Sequence, residues 1–529
     1  MQHLKNLLLH STAAPAWKKI DFQRRYGINL ILSALRTEKS SGIGEFLDLY
    51  PIIDWAQKQR FTIIQLLPLN DSGHDPSPYN ALSSCALHPI YLSLHALPYL
   101  DQLPVLQEKL VDFIPLNQTK RVSYLEVSSY KYHFLHSYYE LVGKKILDSE
   151  NYKKFEATHP WLLPYSLFKI FKNRSEQMAW QHWPEELRAP SEKERNAFIK
   201  THLKEVQFYS CLQYLCYMQL KSIHDYAHSH SILLKGDIPI LISADSADVW
   251  HEPHLFDLSQ AAGAPPDQYN TEGQYWGFPL FNWDVMEANG GQWWKERLAY
   301  ASQFYDIYRI DHLVGFFRIW GIPLGKKALE GSFVPQEEKR WLPEGKKRLL
   351  MLLKLAPNLL PIAEDLGSVP QFVRQCIKEL GIPGTKVIRW ERLWDEDKSF
   401  IPYKFYEPIS MTCVSTHDSP TLTLWWQTYK EEALDFAAFE HWEMQDALSF
   451  AMQKQILKES HRTASLFSIN LLQEYLALFP ELVAENPEDE QINVPGVILD
   501  KNWTYRFRPS VEEIVQHEGL KSALQDIIP

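Results

Sequence analysis

Short apolar runs recur along this chain, at Ile28 to Leu35, Phe61 to Leu69, Leu233 to Ile242, Tyr305 to His312, Leu360 to Ala363, Lys386 to Trp390, Thr412 to Ser415 and, more weakly, Val497 to Leu499. Most are followed by a polar or glycine-rich turn and then by apolar positions at helical spacing. That strand-helix alternation predicts an α/β fold built on a parallel sheet. Eight runs permit closure into a (β/α)8 TIM barrel, and the 529 residues fit such a barrel enlarged by insertions, since barrels of this kind can exceed ~400 residues as one domain.

The spacing of the runs locates the insertions. Residues 1 to 529 read as a single catalytic barrel. Between the second and third runs, residues 95 to 230 are rich in Leu, Tyr, Lys and Glu at helical spacing, and so long a connection is not a loop. It is expected to be a mostly α-helical subdomain on the catalytic rim, punctuated by Pro160, Pro164, Pro184 and Pro190. Residues 251 to 303 read as a substrate-cleft loop and helix region, and residues 426 to 490 as a second helical excursion. No internal repeat or low-complexity segment is evident.

Composition narrows the function. The formal net charge of −11 argues against a broad phosphate-binding surface, and hence against nucleic acid as a partner. No apolar run approaches the ~18 residues of a membrane helix, and Leu7-Leu8-Leu9 is too short for a secretory core of ~7–15 residues. Cys85, Cys211, Cys216, Cys376 and Cys413 are an odd, scattered set with no Cys-x-x-Cys pair, which reads as reduced thiols in a cytoplasmic protein. The 18 Trp, 26 Tyr and 26 Phe exceed what the other features explain. A large core takes most of them; the remainder are candidate platforms for the apolar faces of sugar rings.

The chemistry gathers where runs end. Asp245-Ser-Ala-Asp248, Arg309-Ile-Asp311-His312, Glu364-Asp365 and Thr416-His417-Asp418 each close a run, and the carboxyl ends of barrel strands are where such a fold keeps its active site. Alternate residues of a strand share a face, so Arg309 and Asp311 both point into the barrel mouth, where the arginine is expected to keep the aspartate ionised. The same pattern is open to a purely structural Arg–Asp pair. Glu364 ends an apolar run, where desolvation raises a carboxyl toward the range of a general acid. Asp365 and Ser368 read more simply as the start of a helix, and Thr416-His417-Asp418 is open to a capping role as well. Two carboxyl groups from different strands, with a third beside them, suit the cleavage of a sugar acetal. His251-Glu-Pro-His254 matches no zinc spacing, and carboxylate sugar chemistry needs no metal. Gly381-Ile-Pro-Gly384-Thr385-Lys386 is too short for a phosphate loop and reads as a turn.

Taken in order, Arg-x-Asp-His, Glu-Asp and His-Asp at successive strand ends resemble the α-amylase clan of retaining α-glucosidases and transglycosylases. The chain is similar, more specifically, to the 4-α-glucanotransferases, or amylomaltases. The further matches are Gly42-Ile-Gly44, Leu67-Pro-Leu69, Ser77-Pro-Tyr79, Gly236-Asp-Ile-Pro239, Asp245-Ser-Ala-Asp-Val-Trp250, Gly263-Ala-Pro-Pro-Asp267, Gly273-Gln-Tyr-Trp-Gly277, Ile362-Ala-Glu-Asp-Leu-Gly367 and Asn493-Val-Pro-Gly496 with Asn502-Trp503. The resemblance implies Asp311 as nucleophile, Glu364 as acid/base and Asp418 as the acid that holds sugar hydroxyls in a distorted ring. It implies Arg309, Asp248 and His417 along the donor sugar, Ser77, Tyr79, Gln274 and Trp276 in contact with sugars around the cleavage point, and Asp267 on a loop over the cleft. Tyr79 and Trp276 are the candidate surfaces for an acceptor sugar. No cofactor or metal is implied; the partners are maltooligosaccharides and starch- or glycogen-type α-1,4-glucans. Ser419-Pro420-Thr421 departs from the family's Asn-Asp-Thr after His-Asp. The rivals are a retaining α-glucan hydrolase with the same carboxylates and a non-catalytic glucan-binding barrel.

Overall fold

The structure, a computed structural model, describes residues 2–266, 271–394 and 396–529. Its centre is an eight-stranded sheet of Arg25–Leu30 (β1), Ile63–Leu66 (β2), Leu233–Ile238 (β3), Ile307–Ile310 (β4), Leu360–Ala363 (β5), Gly384–Val387 (β6), Ser410–Cys413 (β7) and Phe467–Leu471 (β8). Seven neighbouring pairs are parallel and ordered as in the chain, with β8 returning beside β1. The last seam, β5 to β6, is stitched by the Ala363 N–H donating to the Pro383 carbonyl at 2.7 Å and the Thr385 hydroxyl donating to the Ala363 carbonyl at 2.7 Å. Asp365 completes it by accepting the Thr385 N–H at 2.6 Å, and a side chain at Gly384 would run into that carboxylate, 2.8 Å from where its Cβ would stand. Asp365 is thus structural, and the sheet is a (β/α)8 barrel.

Why these residues make strands follows from their surroundings. Helices outside and side chains inside bury both faces, so β2, β5, β7 and β8 are buried at every position and lack the polar alternation of a half-exposed strand. The apolar runs overshoot the paired residues because the chain stays buried as it leaves the barrel, as at Leu32, Leu67, Leu69, Ile240 and Ile242.

One strand was misplaced in the sequence. Val497 to Leu499 is exposed and unpaired, with Ile498 fully in solvent, and the eighth strand is Phe467–Leu471. Ser468 and Asn470 disguise it by interrupting the apolar run. They are buried between the sheet and its surrounding helices, and Asn470 is satisfied: its amide donates to Ser460 Oγ and the Tyr475 hydroxyl at 2.9 and 3.0 Å, and its carbonyl accepts the Val414 N–H at 2.9 Å. The strand also lies between helices Phe450–Ser460 and Leu472–Leu476, which gave the whole region a helical look.

Between β2 and β3 the main helices are Tyr124–Leu147, Leu162–Arg174 and Leu203–Ser229, the last running directly into β3. The connections on either side of β4 carry an antiparallel sheet that the sequence did not reveal, ordered Gln274–Phe281, Phe256–Ala264, Ile319–Pro323, Ser332–Val334. Register shifts between Asp257 and Gly263 erase the two-residue periodicity by which a strand is recognised. Among the described residues, no helix is long and apolar enough to cross a membrane. All five cysteines are buried and unpaired.

Candidate active site

Strand register assembles the site. Asp237 of β3 lies directly opposite Arg309 of β4, and Ile310 opposite Ala363 of β5, so the next residues out, Asp311 and Glu364, are neighbours at the barrel mouth. Arg309 joins all three acids. Its Nη1 donates to both oxygens of Asp237 at 3.0 and 2.8 Å; its Nη2 stands 2.8 Å from Asp311 Oδ1 and 3.8 Å from Glu364 Oε2. Sharing one nitrogen caps the gap between those two oxygens at the sum of the last two distances. That sum only reaches the bottom of the ~6.5–9.5 Å range of inverting glycosidases, so the pair is compatible with the ~5–5.5 Å of retaining ones. His312 takes a left-handed backbone, φ 43°, that turns its N–H onto Glu364 Oε2 at 2.7 Å. Strain of this kind is held at functional sites by what surrounds it.

Burial governs the charges. It raises the Asp311 carboxyl above its ordinary range, with Arg309 pulling the other way and Asp237 and Glu364 adding to the rise. Arg309 thus pulls Asp311 downward as expected, but burial outweighs it, even though the Asp311 side chain keeps 24% of its exposure in the cleft. Glu364 is also raised by burial, opposed by Arg309 and the His312 N–H. At Asp418, burial alone would act upward, but His417 and Asn493 outweigh it and hold the carboxyl down at about 2.

Around this centre the cleft holds about 1560 Å³, beyond the ~300–1,000 Å³ of most small-molecule sites, and is lined by Ser77, Tyr79, Gln274, Trp276, Arg309, Asp311, Glu364, His417 and Asp418. Asp418 Oδ2 meets His417 Nε2 at 3.1 Å and Oδ1 accepts the Asn493 amide at 2.7 Å, which leaves each oxygen a lone pair toward the cleft. Trp276 donates its indole N–H to Gln274 Oε1 at 3.0 Å and stands edge-on to His312. Ser419 resolves the departure after His417-Asp418. Its hydroxyl accepts the Thr416 N–H at 2.9 Å and a guanidinium N–H of Arg389 at 2.6 Å, so the serine closes the turn.

One expected residue stands outside the cleft and another is turned to protein partners. Asp248 does not line the cleft: its oxygens accept the Ser84 N–H at 2.9 Å and the Trp293 indole N–H at 2.8 Å, tying the chain after β2 to helix Gln292–Ala301. Tyr79 reaches the cleft as a strut. Its hydroxyl donates to Asp237 at 2.8 Å and meets His417 Nε2 at 3.0 Å, and its ring stacks on His417, so that face is closed to a sugar. Asp267 lies outside the described residues. Asp245 is held by Lys172, away from the carboxylate centre. The reading of the sequence missed the roles of Asp237, Asn493 and Trp503. An acid in a buried strand, Asp237, was the available signal for the first. Trp503 packs on both Tyr79 and His417.

Comparison with known proteins bears on this geometry. A family model described as 4-alpha-glucanotransferase matches residues 30–512. The chain is 46% identical over 521 residues to a 4-alpha-glucanotransferase of Chlamydia pneumoniae and 41% identical over 526 to one of Chlamydia trachomatis serovar D, covering 98% of each chain in both pairs. Among solved structures, an amylomaltase from Streptococcus agalactiae in complex with acarbose superposes with a TM-score of 0.81 at 24% identity, covering 96% of this chain and 98% of that one. The amylomaltase of Corynebacterium glutamicum gives 0.79 at 19%, covering 97% of this chain and 76% of the other. At those identities the structures speak to fold alone, while the family match and the close relatives speak to activity. The chain belongs to the 4-alpha-glucanotransferase family and is a glycosyl-transferring enzyme of that kind.

Proposed function

We propose that this enzyme moves α-1,4-glucan segments from maltooligosaccharides, or from starch- or glycogen-type glucans, to the 4-hydroxyl of an acceptor sugar by a double displacement that retains configuration. Asp311 attacks the anomeric carbon as the glycosidic C–O bond breaks, and Glu364 gives its proton to the leaving oxygen. The result is a glycosyl ester on Asp311 and an ionised Glu364. The acceptor hydroxyl then passes its proton to Glu364 and displaces Asp311. Two inversions restore the α configuration. Arg309 orients both acids, Asp418 and His417 take hydroxyls of the donor ring, and Gln274 and Trp276 face the cleavage point, with Ser77 and Tyr79 supporting the wall opposite; Asp267 is proposed for the loop above the cleft.

The observation that carries this reading is the shared guanidinium, which brings Asp311 and Glu364 within reach of one acetal. Burial acting upward on Glu364 suits it as a proton donor, and Arg309, 2.8 Å from Asp311, favours the anion that a nucleophile must present. The test is incubation with maltotriose. Transfer yields glucose with a ladder of longer oligomers; shorter sugars alone would mean that water resolves the intermediate and that the enzyme is a hydrolase. No product at all would leave a binding protein.

A further inference from the structure

A second constellation lies on the barrel face opposite the cleft. Asp306 immediately precedes β4 and is 1% exposed. His224 and His228, one turn apart on helix Leu203–Ser229, face it. One ring nitrogen of each and one oxygen of Asp306 all lie within 4.8 Å of one another. His228 Nε2 is 2.9 Å from both Asp306 oxygens, and His224 Nε2 is 3.8 Å from Oδ1. A tetrahedral zinc ion with bonds of ~2.0–2.1 Å needs donors ~3.4 Å apart, and these separations bracket that value.

His224 supplies an independent sign. It is 8% exposed, yet neither ring nitrogen has a hydrogen-bond partner among the described residues. Its nearest acceptors, Asp225 Oδ1 at 3.6 Å from Nδ1 and Asp306 Oδ1 at 3.8 Å from Nε2, stand beyond hydrogen-bond length, and the longer of the two gaps is one that an ion between Nε2 and Asp306 would fill. The surroundings fit a ligand set. Asp306 Oδ2 accepts the Leu234 N–H at 3.2 Å, which orients the carboxylate, and Asp225 Oδ1 stands 3.6 Å from His224 Nδ1, placed to orient that ring.

We propose that His224, His228 and Asp306 bind one borderline divalent cation, zinc by its ligand chemistry, and that the ion staples the inserted helix to the strand carrying Arg309 and Asp311. Two imidazoles exclude calcium and magnesium, which take oxygen donors. The fourth position opens to solvent past His228, whose side chain is 40% exposed. Lys19 is the competitor: its Nζ lies 3.3 Å from Asp306 Oδ1, and at 36% exposure it is free to retreat into water when the ion enters. Because Asp306 precedes β4 and Asp311 follows it, the ion acts on stability and leaves catalysis alone.

The test uses the full chain freed of metal by chelation and titrated with Co2+, whose visible absorption is strong in a four-coordinate site. One equivalent is expected to develop the band, one equivalent of Zn2+ to displace it, and Zn2+ to raise Tm. His228→Gln, changed at the half-exposed ligand so that folding is spared, is expected to abolish the band and the Tm response while maltotriose transfer persists. Lys19→Met is expected to tighten binding by up to about fivefold, the worth of a surface ion pair. Absence of a one-equivalent band, or a band of equal strength in His228→Gln, overturns the site. A normal band without any Tm response overturns the staple.

Discussion

Replacing Asp237 by Asn tests how the barrel sets the charge of its nucleophile. Asp237 and Asp311 flank one guanidinium; taking their charges as about 6 Å apart, at an effective dielectric constant of about 20 they repel by about 2.8 kcal/mol. At 1.36 kcal/mol per pH unit that is about two units on Asp311, and we take about one, since Asp311 keeps 24% of its exposure and water screens part of the field. The sign follows from the charge: Asp237 raises Asp311, so its removal lowers it. The acid limb of kcat/KM reports the base of the free enzyme, and it should move about one unit to lower pH in Asp237→Asn. The same change frees one side of Arg309, and misplacement of the guanidinium is expected to lower kcat by about 100-fold. Removing one partner of a buried pair also costs about 3 kcal/mol of stability. The assay is a pH series of glucose release from maltotriose, with urea unfolding alongside. An acid limb that stays in place or moves upward, whatever the loss of rate, would refute the electrostatic link between the two aspartates.

Three further outcomes follow from the same geometry. Trp276→Ala should raise the hydrolysed fraction about tenfold, since a ring stacked on a sugar covers ~60 Å² of apolar surface, worth ~1.5 kcal/mol toward holding an acceptor against bulk water; equal loss of transfer and hydrolysis would make the ring a donor-side support. Asp248→Asn should lower stability by about 1–3 kcal/mol through its hydrogen bonds to Ser84 and Trp293, measured by urea unfolding, and leave the ratio of transfer to hydrolysis unchanged. Asp418→Asn should lower kcat and move the limb set by Glu364 to lower pH, because Asp418, held at about 2 by His417 and Asn493, is a standing negative charge that helps to raise Glu364; a limb that stayed in place would mean that the two carboxylates do not interact.

Much of this was legible in the sequence because the chemistry sits where strands end. Asp311, Glu364 and Asp418 each close an apolar run, and short motifs of that kind survive without knowledge of neighbours. What depended on neighbours was hidden. Ser468 and Asn470 made β8 look unlike a strand until the burial of both and the hydrogen-bond partners of Asn470 were known. Asp237 gains its role only through register with Arg309, which no local pattern announces. Asp248 and Tyr79 carried family motifs, yet their polar atoms face protein partners that come from elsewhere in the chain. At Asp311 the expected downward pull of Arg309 is present, but burial, which depends on the whole surrounding fold, outweighs it. Likewise His224 and His228 have the spacing of paired ligands, but Asp306, the third, is distant in sequence.

The central claim is that Asp311 forms the covalent bond and Glu364 handles the proton. Its most direct test is the intact mass of two variants after exposure to an α-glucosyl fluoride, whose leaving group needs no protonation. Glu364→Gln should gain one glucosyl unit and release it slowly, because the adduct forms without an acid but lacks a base for its resolution; Asp311→Asn should gain none. A glucosyl adduct on Asp311→Asn would contradict the account.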